Sequence, residues 1–230
     1  MFAFRDHHDL GPGHPRVEVA FTDASLDLAE GSPGRAAATA ALEAATGVRF
    51  ARMRQVHGTD VHEVDGPTGE GGELPTGDAL VTTRPGTGLM VRVADCVPIL
   101  LADAEAGVVA AVHAGRVGTA LGVVPAAVRR MRDLGADGVR AWLGPHVCGG
   151  CYEVPEAMRA EVASEVPAAR AETRWGTPSL DLGAGVLAQL EEAGVPTTVV
   201  GGCSLEDPRF HSHRRDADRA GRMAGLVWWT

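Results

Sequence analysis

Apolar positions along the chain fall into two registers. Short, nearly uninterrupted and Val-rich runs at residues 17–21, 79–82, 89–93, 97–102, 108–113, 139–143 and 197–200 predict strands. Several are apolar at every position, which predicts burial on both faces of a sheet rather than one wet face. Between them, residues 35–46, 119–134, 155–166 and 181–193 carry helical spacing. In the second of these, Leu121, Val124, Val128 and Met131 recur three to four apart. Gly47, Gly135 and Gly194 stand just past three of these segments, where a helix C-terminus favours glycine. Residues 223–229 are apolar throughout and fit a strand or a helix end equally well. The first sixteen residues and the stretch 66–77 (GPTGEGGELPTG) read as mobile segments. Strands and helices mix without a regular alternation, which predicts an α+β fold with mixed β-sheets flanked by helices. With Gly and Pro spread as punctuation and no repeat or linker, a single domain over residues 1–230 is expected.

Composition narrows the function classes. The chain of 230 residues has a formal net charge of −9, which argues against a nucleic-acid groove or an anionic membrane as the partner. Every basic residue is Arg, so Schiff-base and P-loop lysine chemistry are excluded. No apolar run approaches the ~20 residues of a membrane span, and the polar N-terminus does not predict a signal peptide. Four cysteines are too few for a disulfide framework, so a reduced, cytoplasmic protein is expected. Neither G-x-G-x-x-G nor a Walker pattern occurs.

Three segments place a reactive side chain at a strand end: Arg54-Gln55-Val56-His57-Gly58, Ala94-Asp95-Cys96-Val97-Pro98 and Val112-His113-Ala114-Gly115. If the runs on either side of residues 103–108 are neighbouring strands, Cys96 and His113 meet, and His57 joins from the earlier turn. An imidazole can hold a thiol as a thiolate nucleophile. Two imidazoles and a thiolate are also a three-ligand zinc set that leaves a fourth position open. A buried structural Cys with two unrelated His is the third reading, and spacing alone does not choose among them.

The strings RQVHGTDV, GDALVT, VADCVPILLAD, VVAAVHAG, GPHVCGGCYEVP, LDL and RRDADRAGRMAGLVW follow one another in a single order. Together they resemble the YfiH family, whose members carry the names polyphenol oxidoreductase and laccase-domain protein. The resemblance implies an α+β domain whose catalytic and metal-binding triad is His57, Cys96 and His113, with Zn²⁺ as the metal and Cu²⁺ as an alternative occupant. It implies phosphorolysis of purine nucleosides to base and ribose-1-phosphate, together with hydrolytic deamination of adenosine. The implied partners are therefore a nucleoside and phosphate. Removal of L-Ser from UDP-N-acetylmuramoyl-L-serine is the alternative activity that it implies, and a non-catalytic partner protein on the same fold is a third class. Gln55, Arg116, Arg214 and Arg215 are the expected substrate or phosphate contacts, with Asp216 orienting one Arg. Asp78 and Asp95 are expected to fix a ligand imidazole from behind. Two departures stand out: HAGRVG where relatives read HAGWRG, and FHSHRRD where they read FFSYRRD.

Other features are read as structural. Cys148-Gly149-Gly150-Cys151 lacks a second CxxC to complete a zinc site and reads as a Gly-rich loop. His211-x-His213 suggests copper, but one such motif among nine His cannot populate a multicopper centre. His7, His8 and His14 fall in the N-terminal segment, and Trp228 and Trp229 read as packing residues.

Overall fold

The computed structural model of the chain describes residues 1–11, 15–68 and 72–230. Its strands are β1 (Phe2–Asp9), β2 (Arg16–Thr22), β3 (Arg49–Ala51), β4 (Val61–Glu63), β5 (Ala79–Thr82), β6 (Thr87–Val93), β7 (Val97–Asp103), β8 (Val108–Ala114), β9 (Arg140–Leu143), β10 (Arg170–Glu172), β11 (Pro178–Leu180), β12 (Thr197–Val199) and β13 (Met223–Trp229). The helices are α1 (Arg35–Thr46), α2 (Arg116–Leu121), α3 (Val123–Asp133), α4 (Glu156–Glu165), α5 (Leu182–Glu192) and the short α6 (His213–Asp216). Two mixed sheets form, one ordered β1-β2-β13-β6-β3 and the other β12-β9-β7-β8-β5-β4, with β10 and β11 making a separate ribbon.

The α+β expectation holds, and the core explains it. β7 and β8 are buried at every position because each has two covered faces. Val97, Ile99, Leu101, Val108, Ala110 and Val112 face α3 and α5, whereas Leu100, Ala102, Val109 and Ala111 face the other sheet. A third cluster packs α1, through Ala38 and Leu42, on the far side of the first sheet. The result is four layers: helix, sheet, sheet, helices. Strand alternation therefore decides what points between the sheets. His113 has the parity of Val109 and Ala111, so it faces the inner layer rather than the helices.

Three differences from the sequence reading have physical causes, and one reading left open there is resolved. The helix predicted over 119–134 is two helices, α2 and α3, because Gly122 sits at φ 85° and breaks the run. The N-terminal segment is not loose: Phe2–Asp9 pairs antiparallel with β2, with alternate residues half-buried, and carries His7 and His8. His14 and residues 69–71 of the predicted loop lie outside the described residues. Residues 223–229 are a strand, β13, between β2 and β6. Gly225 lets Phe21, Val91 and Leu100 approach; a Cβ there would lie 3.1–3.2 Å from each. Strands β3, β4, β10 and β11, three residues each, are too short for periodicity to show. Among the described residues no helix is long and apolar enough to cross a membrane.

Candidate metal-binding active site

The β7–β8 hairpin brings the site together. Its register sets Val97 opposite Ala114 and Pro98 opposite His113, so Cys96 and His113 flank the same end. His57 reaches them from the turn after β3. Cys96 Sγ lies 3.7 Å from His57 Nε2, and the His57 and His113 rings meet edge-on at 4.7 Å. One donor atom from each of His57, Cys96 and His113 falls within 4.8 Å of the others.

Asp78 holds this arrangement from behind. The carboxylate is fully buried and accepts the backbone N–H groups of Val56 (3.2 Å), His57 (2.9 Å) and Gly58 (2.6 Å). It also bonds His113 Nδ1 at 2.7 Å, which leaves Nε2 of that ring as its free nitrogen. Burial opposes ionisation of Asp78, but the His113 hydrogen bond and the Gly58 and His57 amides overcome it and hold the carboxyl below its usual range. The three converging amides require a tight turn, and His57 adopts the left-handed region at φ 62° to supply it. Gly115 makes room: a Cβ there would sit 3.2 Å from His57 Nε2 and 3.3 Å from Cys96 Sγ, and closer still to His57 Cδ2.

Asp95 departs from its expected role. Its carboxylate touches no imidazole; it accepts from Ser204 Oγ at 2.6 Å and from the backbone N–H of Arg214 at 2.7 Å. It thus pins the turn that presents Cys96, at a backbone φ of 83°. His57, Asp95 and Ala217 are the described non-glycine residues with positive φ, and two of them belong to the site.

The Cys96–His113 pair is polarised. Burial favours a neutral thiol, but the His113 and His57 imidazoles outweigh it and bring Cys96 down to about 6. Reciprocally, burial lowers His113, while the Cys96 sulfur and Asp78 carry it up to about 9. The pairing thus favours the thiolate of Cys96 beside a protonated His113, and a metal ion held here would displace the Nε2 proton of that imidazolium. Two nitrogens and a soft sulfur converging on one point form a donor set that can hold a metal ion.

The three residues open into a cavity of about 720 Å³. Arg54, Arg92 and Arg222 line it, with His213 and Asp218. The side chain of Arg54 has no ion pair or hydrogen bond among the described residues, whereas Arg92 pairs with Glu30 at 2.6 Å. The sequence reading passed over these residues, although Arg54, Asp218 and Arg222 stand inside the motif strings and Arg92 just before one.

Several expected contacts are engaged elsewhere. The Gln55 amide bonds both backbone groups of Arg92, at 2.7 and 2.9 Å, so it lines the cavity as a structural brace. Arg215 is committed to Asp216, Ser204 O and Phe210 O, which corrects its assignment to an anion site. Arg214 donates to Glu153 O at 3.0 Å and lies over the Tyr152 ring at 5.0 Å, in a separate depression. Arg116 opens α2 and is not among the residues that line the 720 Å³ cavity. His211 bonds the Leu26 carbonyl at 2.9 Å while His213 lines the cavity, so the two do not converge. The expectation that Cys148 and Cys151 lack further ligands is overturned: Cys203 and Glu206 bring donor atoms to within 4.8 Å of theirs.

The fold is thus a layered α+β sandwich in which a His–Cys–His cluster that could hold a metal ion lines an Arg-bearing cavity. The chain belongs to the family described as multi-copper polyphenol oxidoreductase laccase, whose model matches residues 27–230. It is 53% identical to a Streptomyces coelicolor protein named purine nucleoside phosphorylase, over 91% of this chain and 89% of that one. A Deinococcus radiodurans protein of the same name is 39% identical over 93% of this chain and 83% of its own length. Among solved structures, YlmD from Geobacillus stearothermophilus matches at a TM-score of 0.80 and 27% identity, covering 95% of this chain and 93% of that one. The hypothetical protein YfiH from Bacillus licheniformis matches at 0.81 and 23%, covering 96% and 98%.

Proposed function

We propose that the protein is a zinc-dependent purine nucleoside phosphorylase, with adenosine deaminase activity at the same site. The observation that carries this reading is the joining of the His57–Cys96–His113 cluster to the Arg-lined cavity, in a chain whose relatives bear the phosphorylase name. Phosphorolysis exchanges the bond from ribose C1′ to the purine for a bond from C1′ to a phosphate oxygen. It needs an anion held against C1′ and a proton for the departing base.

Arg54 is the cation best placed to hold phosphate, because its guanidinium has no partner among the described residues and can fork onto two oxygens. Arg92 and Arg222 add positive charge to the same wall. Asp218 supplies an acceptor suited to ribose hydroxyls, and His213, whose Nδ1 donates to the Ala217 carbonyl at 3.2 Å, turns Nε2 to the same space. His57 Nε2, Cys96 Sγ and His113 Nε2 would hold the zinc, which when bound supplies Lewis-acid charge stabilisation. Asp78 holds the Nδ1 proton of His113, so Nε2 is the nitrogen that would give up its proton to a metal, and it keeps His57 in its turn. Deamination exchanges the purine C6 amino group for water oxygen and uses the same face of the cavity. Copper is the alternative occupant, since an imidazole–thiolate set binds it strongly. Four free cysteines support a reducing, cytoplasmic setting.

The test is chromatography of adenosine, inosine and guanosine incubated with zinc-loaded protein, with and without phosphate, beside Cys96→Ser. Expected are free base and ribose-1-phosphate only with phosphate, inosine from adenosine in either case, and neither with the variant. Absence of product from every nucleoside would overturn the reading, most directly if UDP-N-acetylmuramoyl-L-serine is cleaved instead.

A further inference from the structure

Away from the cavity, a second group of ligand-type side chains converges: Cys148, Cys151, Cys203 and Glu206, with one donor atom of each within 4.8 Å of all the others. We propose that this group is a second metal site, a structural one taking a divalent ion of the zinc type through three thiolates and one carboxylate. It is independent of the reaction assigned to the cavity.

The arrangement is that of two knuckles facing one another. Cys148 and Cys151 end a turn closed by the Cys151 N–H on the Cys148 carbonyl at 2.9 Å. Cys203 and Glu206 end a second, closed by the Glu206 N–H on the Cys203 carbonyl at 3.2 Å. Both pairs therefore have the i, i+3 spacing that lets two side chains of one turn reach a single ion. The backbone N–H of Cys148 donates to Cys203 Sγ at 3.4 Å, which ties the two turns together and aims that sulfur at the first pair. Zn–S bonds of about 2.3 Å put thiolates about 3.8 Å apart in a tetrahedron, so donors spread over no more than 4.8 Å need only a small closure. Arg174 grips both oxygens of Glu206, which orients the carboxylate as the outer partners of metal ligands do.

A disulfide would account for two of the sulfurs and leave the third, with a carboxylate, facing it unexplained. Three thiolates and a carboxylate are instead a complete four-ligand set with no open position, which marks a structural rather than a catalytic site. Its place in the fold says what it would hold. Val147, beside Cys148, donates its N–H to the Asp95 carbonyl at 3.0 Å, and Ser204, beside Cys203, donates to the Asp95 carboxylate at 2.6 Å. Asp95 precedes Cys96. An ion joining the two knuckles would therefore clamp two of the three chain segments that pin the Cys96 turn, the third being Arg214.

Cobalt titration of metal-free, reduced full-length protein tests this, in a Cys96→Ser background that removes the thiolate of the first site. Expected is one cobalt per chain with the intense near-ultraviolet absorption of thiolate-to-cobalt charge transfer, displaced by zinc. Adding Cys203→Ser should weaken binding at least tenfold and reduce that absorption. Glu206→Gln should weaken binding while leaving the charge-transfer intensity intact, and Glu206→Cys should increase the intensity. Failure of the Cys96→Ser protein to develop the absorption, or its persistence unchanged in the Cys203→Ser variant, would overturn the proposal. If Cys203→Ser does not fold, alkylation of the Cys96→Ser protein decides. Zinc should protect Cys148, Cys151 and Cys203 together, and unprotected thiols at saturating zinc would refute the site.

Discussion

Replacing Asp78 by Asn leaves the shape of the side chain but turns one of two acceptor oxygens into a donor. Four donors converge on the native carboxylate: Val56 N and Gly58 N on one oxygen, His57 N and His113 Nδ1 on the other. Whichever way the amide lies, one pair of these donors faces an NH₂ group inside a fully buried pocket. A hydrogen bond to a charged group is worth about 1.5–3 kcal/mol, so losing two costs about 3–6 kcal/mol. At 2–4 °C per kcal/mol for a chain of this size, Tm should fall by roughly 6–24 °C. Melting should be followed on metal-free protein, so that ion binding does not contribute to the difference. Asp65→Asn is the control: its side chain is 82% exposed, and its pairing with Arg84 is a surface contact expected to matter by less than about 0.5 kcal/mol. Where Asp78→Asn still folds, its metal affinity should drop about 10–100-fold, as for other outer partners of a ligand histidine. A melting point within about 2 °C of the parent, with metal affinity unchanged, would refute the claim that one carboxylate organises both histidines.

Gly115→Ala should push the His57 ring aside and lower turnover about a hundredfold, with a smaller effect on folding; unchanged kcat would refute the close approach drawn from the Gly115 position. Arg54→Gln should raise KM for phosphate about 10–100-fold while leaving nucleoside KM near its parent value, measured by varying each substrate in turn. Asp27 accepts the N–H groups of Ala29 and Arg222; burial raises its pKa, but those bonds and Ser32 outweigh it, and the folded value is lowered. Its stabilising contribution is therefore complete above about pH 4 and lost as pH falls through the lowered value. Asp27→Asn should accordingly reduce stability at neutral pH and flatten the acid limb of the stability profile in urea titrations.

The meeting of Cys96 and His113 was legible in the sequence because it is local, whereas His57, 39 residues before Cys96, was assigned to the same site by the family resemblance. Two apolar runs joined by a tight connection form an antiparallel hairpin, and the hairpin register alone sets Cys96 beside His113. Gly after His113 and Gly after His57 marked the close approach. The outer parts were not legible in this way. Arg54, Arg92 and Arg222 come from three separate segments and share a wall only because β13 pairs with β6 and the turn after β3 folds over that edge. Arg215 read as an anion site on charge alone, yet its donors are taken by Asp216 and by carbonyls that local sequence could not place there. The strand β1 carries Arg, Asp and His and has no apolar stripe. It is held by pairing to β2 and by Trp142 Nε1 on Asp6 at 3.0 Å, a contact spanning most of the chain.

By itself the sequence determined where the buried strands run, that sheets and helices mix, and that Cys96 and His113 stand at strand ends; His57 lies instead in the turn between β3 and β4. Periodicity and turn residues act over a few positions, and so does the chemistry they reveal. Tertiary structure decided how the ends are used: which cations face the cavity, which arginines are already bound, and that Cys203 and Glu206 complete the pair Cys148 and Cys151. Those outcomes depend on pairings between strands and loops far apart in the chain, and such pairings are set by the shared burial of whole layers rather than by any one segment.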